Sequence, residues 1–238
     1  MSIDAPKPLR LASYNIRAGL GTDLRRDPAR VLHAIAGLSA DLVVLQEADH
    51  RLGTRPSALP YGQISQLTGL APLPISERPG GLGWHGIALL AQPTLVVSDI
   101  HRIPLPGLEP RGAVAADIEA EPGPLRVVGV HLGLLRSSRR AQLDRIREEL
   151  DALDPRPTVI LGDFNEWSTR KGLGRLARHY TLLTPGGTFP ARLPLAPLDR
   201  IAHCDRLNVK LRPPPEARHP HPSDHRPILA DVTLQPAA

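Results

Sequence analysis

Six short apolar runs in this chain each end on, or begin just after, a residue that ionises or hydrogen-bonds strongly. Asn15 follows Leu11 and Ser13 at alternate positions, and Glu47 ends the run that starts at Leu42. His131 closes Val127-Val128-Gly129-Val130, and Asp163 closes Val159-Ile160-Leu161. Asp199 sits in Leu198-Asp199-Arg200-Ile201, and Asp224-His225 precedes Pro227-Ile228-Leu229. Apolar runs of this length bounded by turn residues read as buried strands. A polar group at the end of such a strand is costly inside a core unless it is paired, so the pattern demands a sheet edge where these groups face one another, solvent or a ligand. Taken singly, each has an ordinary structural use: a salt bridge for Glu47 or Asp199, a satisfied core position for His131, a turn for Asn15.

Val159-Ile160-Leu161-Gly162-Asp163-Phe164-Asn165 is the sharpest of these segments and supports two readings. If the chain stays extended past Leu161, the two-residue period of a strand puts Asp163 and Asn165 on one face, with Phe164 on the other. Alternatively, Gly162 permits a bend, and Asp163 and Asn165 bond their own backbone.

The organisation around these segments is mixed. Strands are expected at Leu9 to Ile16, Leu42 to Leu45, Ile87 to Ala91, Leu95 to Ile103, Gly112 to Ile118, Leu125 to His131, Thr158 to Leu161, Leu198 to Ala202 and Ile228 to Leu234. Asp27-Pro28 offers an N-cap and a proline at the first helical position, opening a helix through Leu38. A second helix is predicted from about Ser138 to Leu153. Leu143, Ile146, Leu150 and Leu153 form its inner stripe, and Arg139, Arg140, Arg147, Glu148 and Glu149 its outer surface. Strands arrive both in adjacent pairs and separated by helices, which points to mixed sheets covered by helices. Proline and glycine mark loops at Arg78 to Gly86, Pro104 to Gly112, Thr184 to Pro197 and Arg212 to Pro222. The last of these delivers Ser223-Asp224-His225 to the final strand. Leu70 to Leu73 and Leu193 to Leu198 either rim an apolar cleft or are loop packing.

Length and composition set the outer limits. With 238 residues, 41% hydrophobic and 22% charged, the chain is expected to form one globular domain over residues 1–238. Cys204 is the only cysteine, which excludes an intrachain disulfide or a cysteine-based metal cluster and leaves it as core filler. Met1 to Arg10 carries no apolar signal region and no run reaches membrane-span length, so a cytoplasmic protein is expected. The formal charge of +5, the sequence pI of about 10.0 and the scarcity of lysine (Lys7, Lys171 and Lys210) leave an arginine-rich chain suited to anionic partners, or one that reflects proteome composition. Aromatic residues make up 3%, too few for a surface built on base stacking. His85 has no assigned role, and His101, His203, His219 and His221 read as surface or loop residues.

Taken together, the segments resemble the endonuclease/exonuclease/phosphatase superfamily of magnesium-dependent phosphoesterases. The resemblance spans nearly the whole chain through Ser13-Tyr14-Asn15-Ile16, Asp41-Leu42-Val43-Val44-Leu45-Gln46-Glu47, Glu109-Pro110-Arg111-Gly112-Ala113, Val130-His131-Leu132, Gly162-Asp163-Phe164-Asn165, Leu198-Asp199-Arg200-Ile201 and Ser223-Asp224-His225-Arg226-Pro227. It implies an α/β (α+β) four-layer sandwich, two packed mixed β-sheets flanked by helices, with the site at one edge. It also implies Mg2+ (or Mn2+ as a substitute) held by Glu47 with Asn15 and Asp224. Asp163 would orient or deprotonate the attacking water, Asn165 would bond a phosphate oxygen, Asp199 and His225 would form a dyad in which His225 is an acid-base group or a phosphate clamp, His131 would contact the phosphate or assist the leaving oxygen, and Arg111 would contact the phosphate. Arg111 equally suits bracing a carboxylate. Two positions depart from the family pattern: Arg17 stands where an acidic or polar residue is frequent, which favours one metal, and Ile87 replaces a frequent asparagine.

The implied activity is hydrolysis of a phosphodiester, with DNA or RNA as the default substrate and a phospholipid headgroup or small phosphate ester as alternatives. A catalytically silent member of the fold that binds anionic ligands would not require the acid, amide and histidine set. A serine hydrolase built on Ser223, Asp224 and His225 is disfavoured, because adjacent residues rarely reach the nucleophile-base geometry and no Gly-x-Ser-x-Gly elbow is present.

Overall fold

A computed structural model describes residues 7–121, 123–168, 172–216 and 219–235. Lys171, the first six residues of the Met1 to Arg10 segment and positions 217–218 of the Arg212 to Pro222 loop lie outside them.

Two six-stranded mixed sheets pack face to face. The first contains β1 (Leu9–Asn15), β2 (Leu42–Gln46), β3 (Ala71–Pro72), β4 (Ala88–Ala91), β11 (Leu207–Arg212) and β12 (Ile228–Leu234), in the order β11-β12-β1-β2-β4-β3. The second contains β5 (Val96–Pro104), β6 (Gly112–Ala120), β7 (Gly123–His131), β8 (Thr158–Asp163), β9 (Thr181–Leu183) and β10 (Asp199–His203), in the order β5-β6-β7-β8-β10-β9. Helices α1 (Pro28–Gly37) and α2 (Tyr61–Thr68) cover the first sheet, and α3 (Arg136–Ala152) covers the second. The four-layer sandwich expected from the sequence is therefore the observed fold.

Three apolar layers follow from strand alternation. Leu9, Leu11, Leu42, Val44, Leu125, Val127, Val159, Leu161 and Ile201 point between the sheets. Ala12, Tyr14, Val43 and Leu45 pack outward against Val31, Leu32 and Ile35 of α1. Val128, Val130, Ile160 and Phe164 pack outward against Leu143, Ile146 and Leu150 of α3. The sheets approach tightly at Gly129, where a Cβ would stand 2.6 Å from Val44 Cγ1 of the opposite sheet, so a larger residue fits only if its neighbours move. Helix α1 starts as expected, with the Asp27 side chain accepting a hydrogen bond from Arg30 N at 3.0 Å and Pro28 in the first turn.

Several sequence expectations change. Arg139, assigned to the outer surface of the second helix, is buried and pairs with Glu166 at 2.9 Å. His203, on β10, and His221 are buried rather than surface residues. Leu70 joins the core beneath α1 and α2, whereas Leu193 and Leu195 are exposed. Helix α2 and strands β3, β9 and β11 have no counterpart among the expected elements. Cys204 is half-buried against the inter-sheet core, as its reading as filler requires. Among the described residues no helix is long and apolar enough to cross a membrane.

The second sheet also contains a buried ion pair. Arg126, with 2% exposure, donates from Nε and Nη2 to the two oxygens of Asp117 at 2.6 and 2.9 Å. Burial pushes the Asp117 carboxyl up, but the bonds and charge of Arg126, with Arg156, outweigh it and hold the group below its ordinary 3.8. A depressed carboxylate contributes stability that is complete above its unfolded value and disappears as pH falls through the folded one. Arg126→Ala removes both bidentate bonds and leaves the buried carboxylate with Arg156 at 3.3 Å; urea unfolding at pH 7 is expected to show a loss of roughly 3 kcal/mol, with the acid-unfolding midpoint displaced upward.

Candidate active site

Strand register builds the site. Parallel pairing of β7 with β8 places His131 opposite Asp163, and antiparallel pairing of β10 with β8 places Asp199 opposite the same residue. All three belong to the rows that point between the sheets. In the first sheet, Ser13 and Asn15 continue the row of Leu9 and Leu11, and Gln46 continues that of Leu42 and Val44; β1 and β2 pair with Asn15 opposite Gln46. The inter-sheet core thus changes from apolar to polar at one end, where Ser13 and Gln46 bond each other (Gln46 Nε2 to Ser13 Oγ, 3.0 Å).

Asp163 lies at the meeting point. One carboxylate oxygen accepts from Asn15 Nδ2 at 3.0 Å and lies 3.5 Å from His131 Nε2 and 3.8 Å from His225 Nε2. The other oxygen accepts from Asn165 N at 2.9 Å. Asn165 has left the strand, with φ of 49°, and its Nδ2 donates to Leu132 O at 2.8 Å. The extended reading therefore holds as far as Asp163, and the turn reading holds for Phe164 and Asn165. His225 Nδ1 lies 2.8 Å from Asp199 Oδ2, and Asp199 Oδ1 is buried without a hydrogen-bond partner among the described residues.

His225 reaches the row from a loop. Ser223 Oγ donates to Asn15 O at 2.6 Å, Ala191 N donates to Asp224 O at 2.6 Å, and Arg226 N donates to Thr188 O at 2.8 Å. Ser223 is fully buried and committed to a carbonyl, which removes the serine-nucleophile alternative. Glu47 lies just past β2 at φ 53°, and its carboxylate pairs with Arg51 at 2.7 Å. Arg17 pairs with Asp224 at 3.1 Å. Glu47, Asp224 and His225 line a common cavity of about 580 Å³.

The charges of the row are shared unequally. Burial, reinforced by the charge of Asp199, pushes Asp163 up to about 7. Burial pushes His225 down, but the charge and hydrogen bond of Asp199, with Asp163 and Asp224, outweigh it and carry the ring up to about 9. Burial and then the Arg111 charge hold His131 well below the usual imidazole range; Arg111 Nη1 stands 2.8 Å from its ring nitrogens, and Arg111 Nε 3.4 Å from Glu109. The row thus joins a histidine pushed toward its protonated form, a histidine pushed toward its neutral form and a carboxyl raised well above the usual carboxylate range.

Residues 12–225 match the sequence profile described as the Endonuclease/Exonuclease/phosphatase family. The chain belongs to this family. An Escherichia coli K12 relative known as the uncharacterized protein YbhP is 29% identical, over 94% of this chain and 96% of its own length. The catalytic domain of human Nocturnin, solved with a bound sulfate anion, superposes with a TM-score of 0.72 at 22% identity, covering 96% of this chain and 94% of that one. ANGEL2, a 2',3'-cyclic phosphatase solved with adenosine-2',3'-vanadate, superposes with a TM-score of 0.69 at 14% identity, covering 96% of each chain.

Members of the Endonuclease/Exonuclease/phosphatase family are typically dependent on a divalent metal, and the donor chemistry here fits one. Glu47 and Asp224 offer carboxylates beside a common cavity, each also paired with an arginine with which a metal ion would share it. Asn15 Oδ1 accepts from Arg17 N at 3.1 Å and keeps a second lone pair. Oxygen donors of this kind suit magnesium. Asp163, Asp199 and His225 also present ligand atoms within 4.8 Å of one another, although Asp199 and His225 already bond each other.

A buried arginine system, absent from the sequence reading, braces this family site. Arg200, with 2% exposure, donates to Pro197 O at 2.9 Å, Glu166 O at 2.6 Å and Ser168 O at 2.8 Å. Arg139 pairs with the Glu166 carboxylate from α3. Together they anchor the chain leaving Asn165. The only prior signal was arginine beside Asp199 in an otherwise apolar strand. Arg200→Met is expected to cost roughly 3 kcal/mol by stranding buried carbonyl groups, measured by urea unfolding. In a Trp84→Phe background, it should also lower the fluorescence anisotropy of Trp167, which lies within the anchored segment.

Proposed function

We propose that this chain is a magnesium-dependent phosphodiesterase with nucleic acid as its substrate class. The observation that carries the reading is the single row in which Asp163, with its pKa pushed up to about 7, faces His131 at 3.5 Å and His225 at 3.8 Å. A carboxyl group poised at neutrality takes a proton from water far more readily than an ordinary aspartate does.

In the proposed reaction, Asp163 orients a water in line with the phosphorus and accepts its proton as the new P–O bond forms. The opposite P–O bond breaks, its oxygen takes a proton from a solvent water, and the hydroxide left behind is neutralised by the proton that Asp163 accepted, so that an alcohol and a phosphomonoester are released. His225, held protonated by Asp199, places positive charge at a non-bridging oxygen. Arg111 does the same from the opposite side of His131, leaving that neutral ring free to donate its N–H to the phosphate. Asn165 directs its amide at another phosphate oxygen. Glu47, Asn15 and Asp224 would hold the magnesium ion, with manganese as a substitute. When bound there, the metal supplies neutralisation of the phosphoryl charge.

Nucleic acid is favoured over a neutral ester because the chain has a net charge of +5 and 29 basic residues, almost all arginine, which suits bidentate contacts to a phosphate backbone. The adenosine-2',3'-vanadate held by ANGEL2 gives the same direction.

Purified protein should hydrolyse a generic phosphodiester and at least one of linear DNA, nicked DNA or RNA in magnesium. Chelator should abolish turnover, and magnesium or manganese should restore it. Asp163→Asn should lower kcat by roughly a hundred- to ten-thousand-fold while the far-ultraviolet circular dichroism stays unchanged. Turnover indifferent to chelator and to Asp163→Asn would overturn the reading, and preference for a choline phospholipid in the same panel would replace nucleic acid as the substrate class.

A further inference from the structure

A cavity of about 340 Å³ opens beside the catalytic row and shares Glu47, Arg111 and His131 with it. Four carboxylates and four guanidinium groups line it, so its charge balances on paper, but the two sets are not equally engaged. The oxygens of Asp49 accept from Leu82 N at 2.7 Å and Gly83 N at 3.1 Å. Glu77 accepts from the Trp84 indole at 3.2 Å and faces Arg102 at 3.7 Å. Glu109 pairs with Arg111 and accepts from Leu134 N at 3.1 Å. Glu47 is the carboxylate offered to the metal. Arg55 and Arg78, in contrast, form no side-chain hydrogen bond or ion pair among the described residues.

The backbone around the cavity is also unusual. Glu47, Arg55 and His85 all line it, and all three hold left-handed φ values of 53°, 52° and 50°. Non-glycine residues keep such conformations where the surroundings over-determine them, and they cluster at ligand sites. At Arg55 the surroundings are the backbone bonds of its loop: Arg55 N to Leu52 O, His50 N to Pro56 O and Ala58 N to Ala48 O. This loop holds a half-buried arginine at a cavity where no carboxylate meets it.

We propose that Arg55 and Arg78 form a subsite for a second phosphate group carried by the same substrate, next to the phosphodiester that is cleaved. The proposal rests on the phosphodiesterase reading and narrows it. Guanidinium groups match phosphate through paired N–H donors, and the cavity falls in the size range of small-molecule sites. A nucleotide with a terminal phosphate and a glycerophosphodiester with a terminal phosphate both present this chemistry.

The test is equilibrium binding in magnesium to Asp163→Asn protein, with Trp84 emission as the readout in a Trp167→Phe background; His225→Gln serves as a second cleavage-disabled protein. The ligands are thymidine dinucleotides with and without a terminal phosphate, and glycerophosphoglycerol with and without one. The terminal phosphate is expected to tighten binding roughly ten- to a hundred-fold in one of the two pairs, and that pair identifies the source of the phosphate. Arg55→Gln and Arg78→Gln, the latter at an exposed position, should erase the gain and leave the ligands without a terminal phosphate unchanged. Equal binding with and without the terminal phosphate overturns the subsite, as does equal weakening of both ligands by Arg78→Gln. Hydrolysis of bis(4-nitrophenyl) phosphate by the wild type, measured in parallel, reports on the phosphodiesterase reading alone. Cleavage without the binding gain rejects only the subsite, and the gain without cleavage of any ligand rejects only the reaction.

Discussion

Strand β8 is hydrogen-bonded on both sides, parallel to β7 and antiparallel to β10, and the rest of the site depends on that double pairing. Its register puts His131 and Asp199 on either side of Asp163. A slip of one residue on either side would turn a whole row of side chains to the opposite face, sending Val127 and Ile201 out of the inter-sheet core along with the polar groups. The apolar part of each strand thus locks the polar part in place. The same hydrophobic burial that drives the sheets together also fixes the relative positions of the acid and base groups.

Such a row is expensive, and the structure offsets the cost by sharing charge. Asp199 and His225 form a hydrogen-bonded pair, Asn15 and the Asn165 backbone donate to Asp163, and Arg111 faces His131. The remaining penalty is visible as the raised Asp163 and the unpartnered Asp199 Oδ1. An open acceptor and a raised carboxyl make a poor core, and perturbed groups of this kind concentrate at functional sites. Around the row, Arg200 and Arg139 hold the chain at Glu166 and Ser168 through hydrogen bonds and an ion pair.

Much of this could be read along the chain. The runs at Leu42 to Leu45 and Val159 to Leu161 are apolar on both faces because both faces are covered, one by the opposite sheet and the other by a helix. Helix α1 carries its own start signal in Asp27-Pro28. Elements with weaker patterns are harder to read. Helix α2 buries only Ile64, so it has almost no periodic stripe, and β9 has only three residues. Strand β11 alternates, with Leu207 buried and its neighbours largely exposed, but Asn208 and Lys210 lower its strand propensity. Arg139 escapes a reading by helical spacing, because spacing separates apolar from charged positions and does not indicate that a charged residue has a buried partner 27 positions away.

By itself, the sequence determined nine of the twelve strands and the residue types at their ends, because alternation and turn chemistry are local properties. It also determined the family, because ordered motifs are written along the chain. Tertiary structure alone decided that Asn15, His131, Asp163, Asp199 and His225 meet, that Arg111 faces a histidine as well as a carboxylate, and that Arg55 and Arg78 share a cavity with His131. Those facts depend on register and on the packing of one sheet against the other. Both are set by long-range burial, which no short segment of the chain encodes.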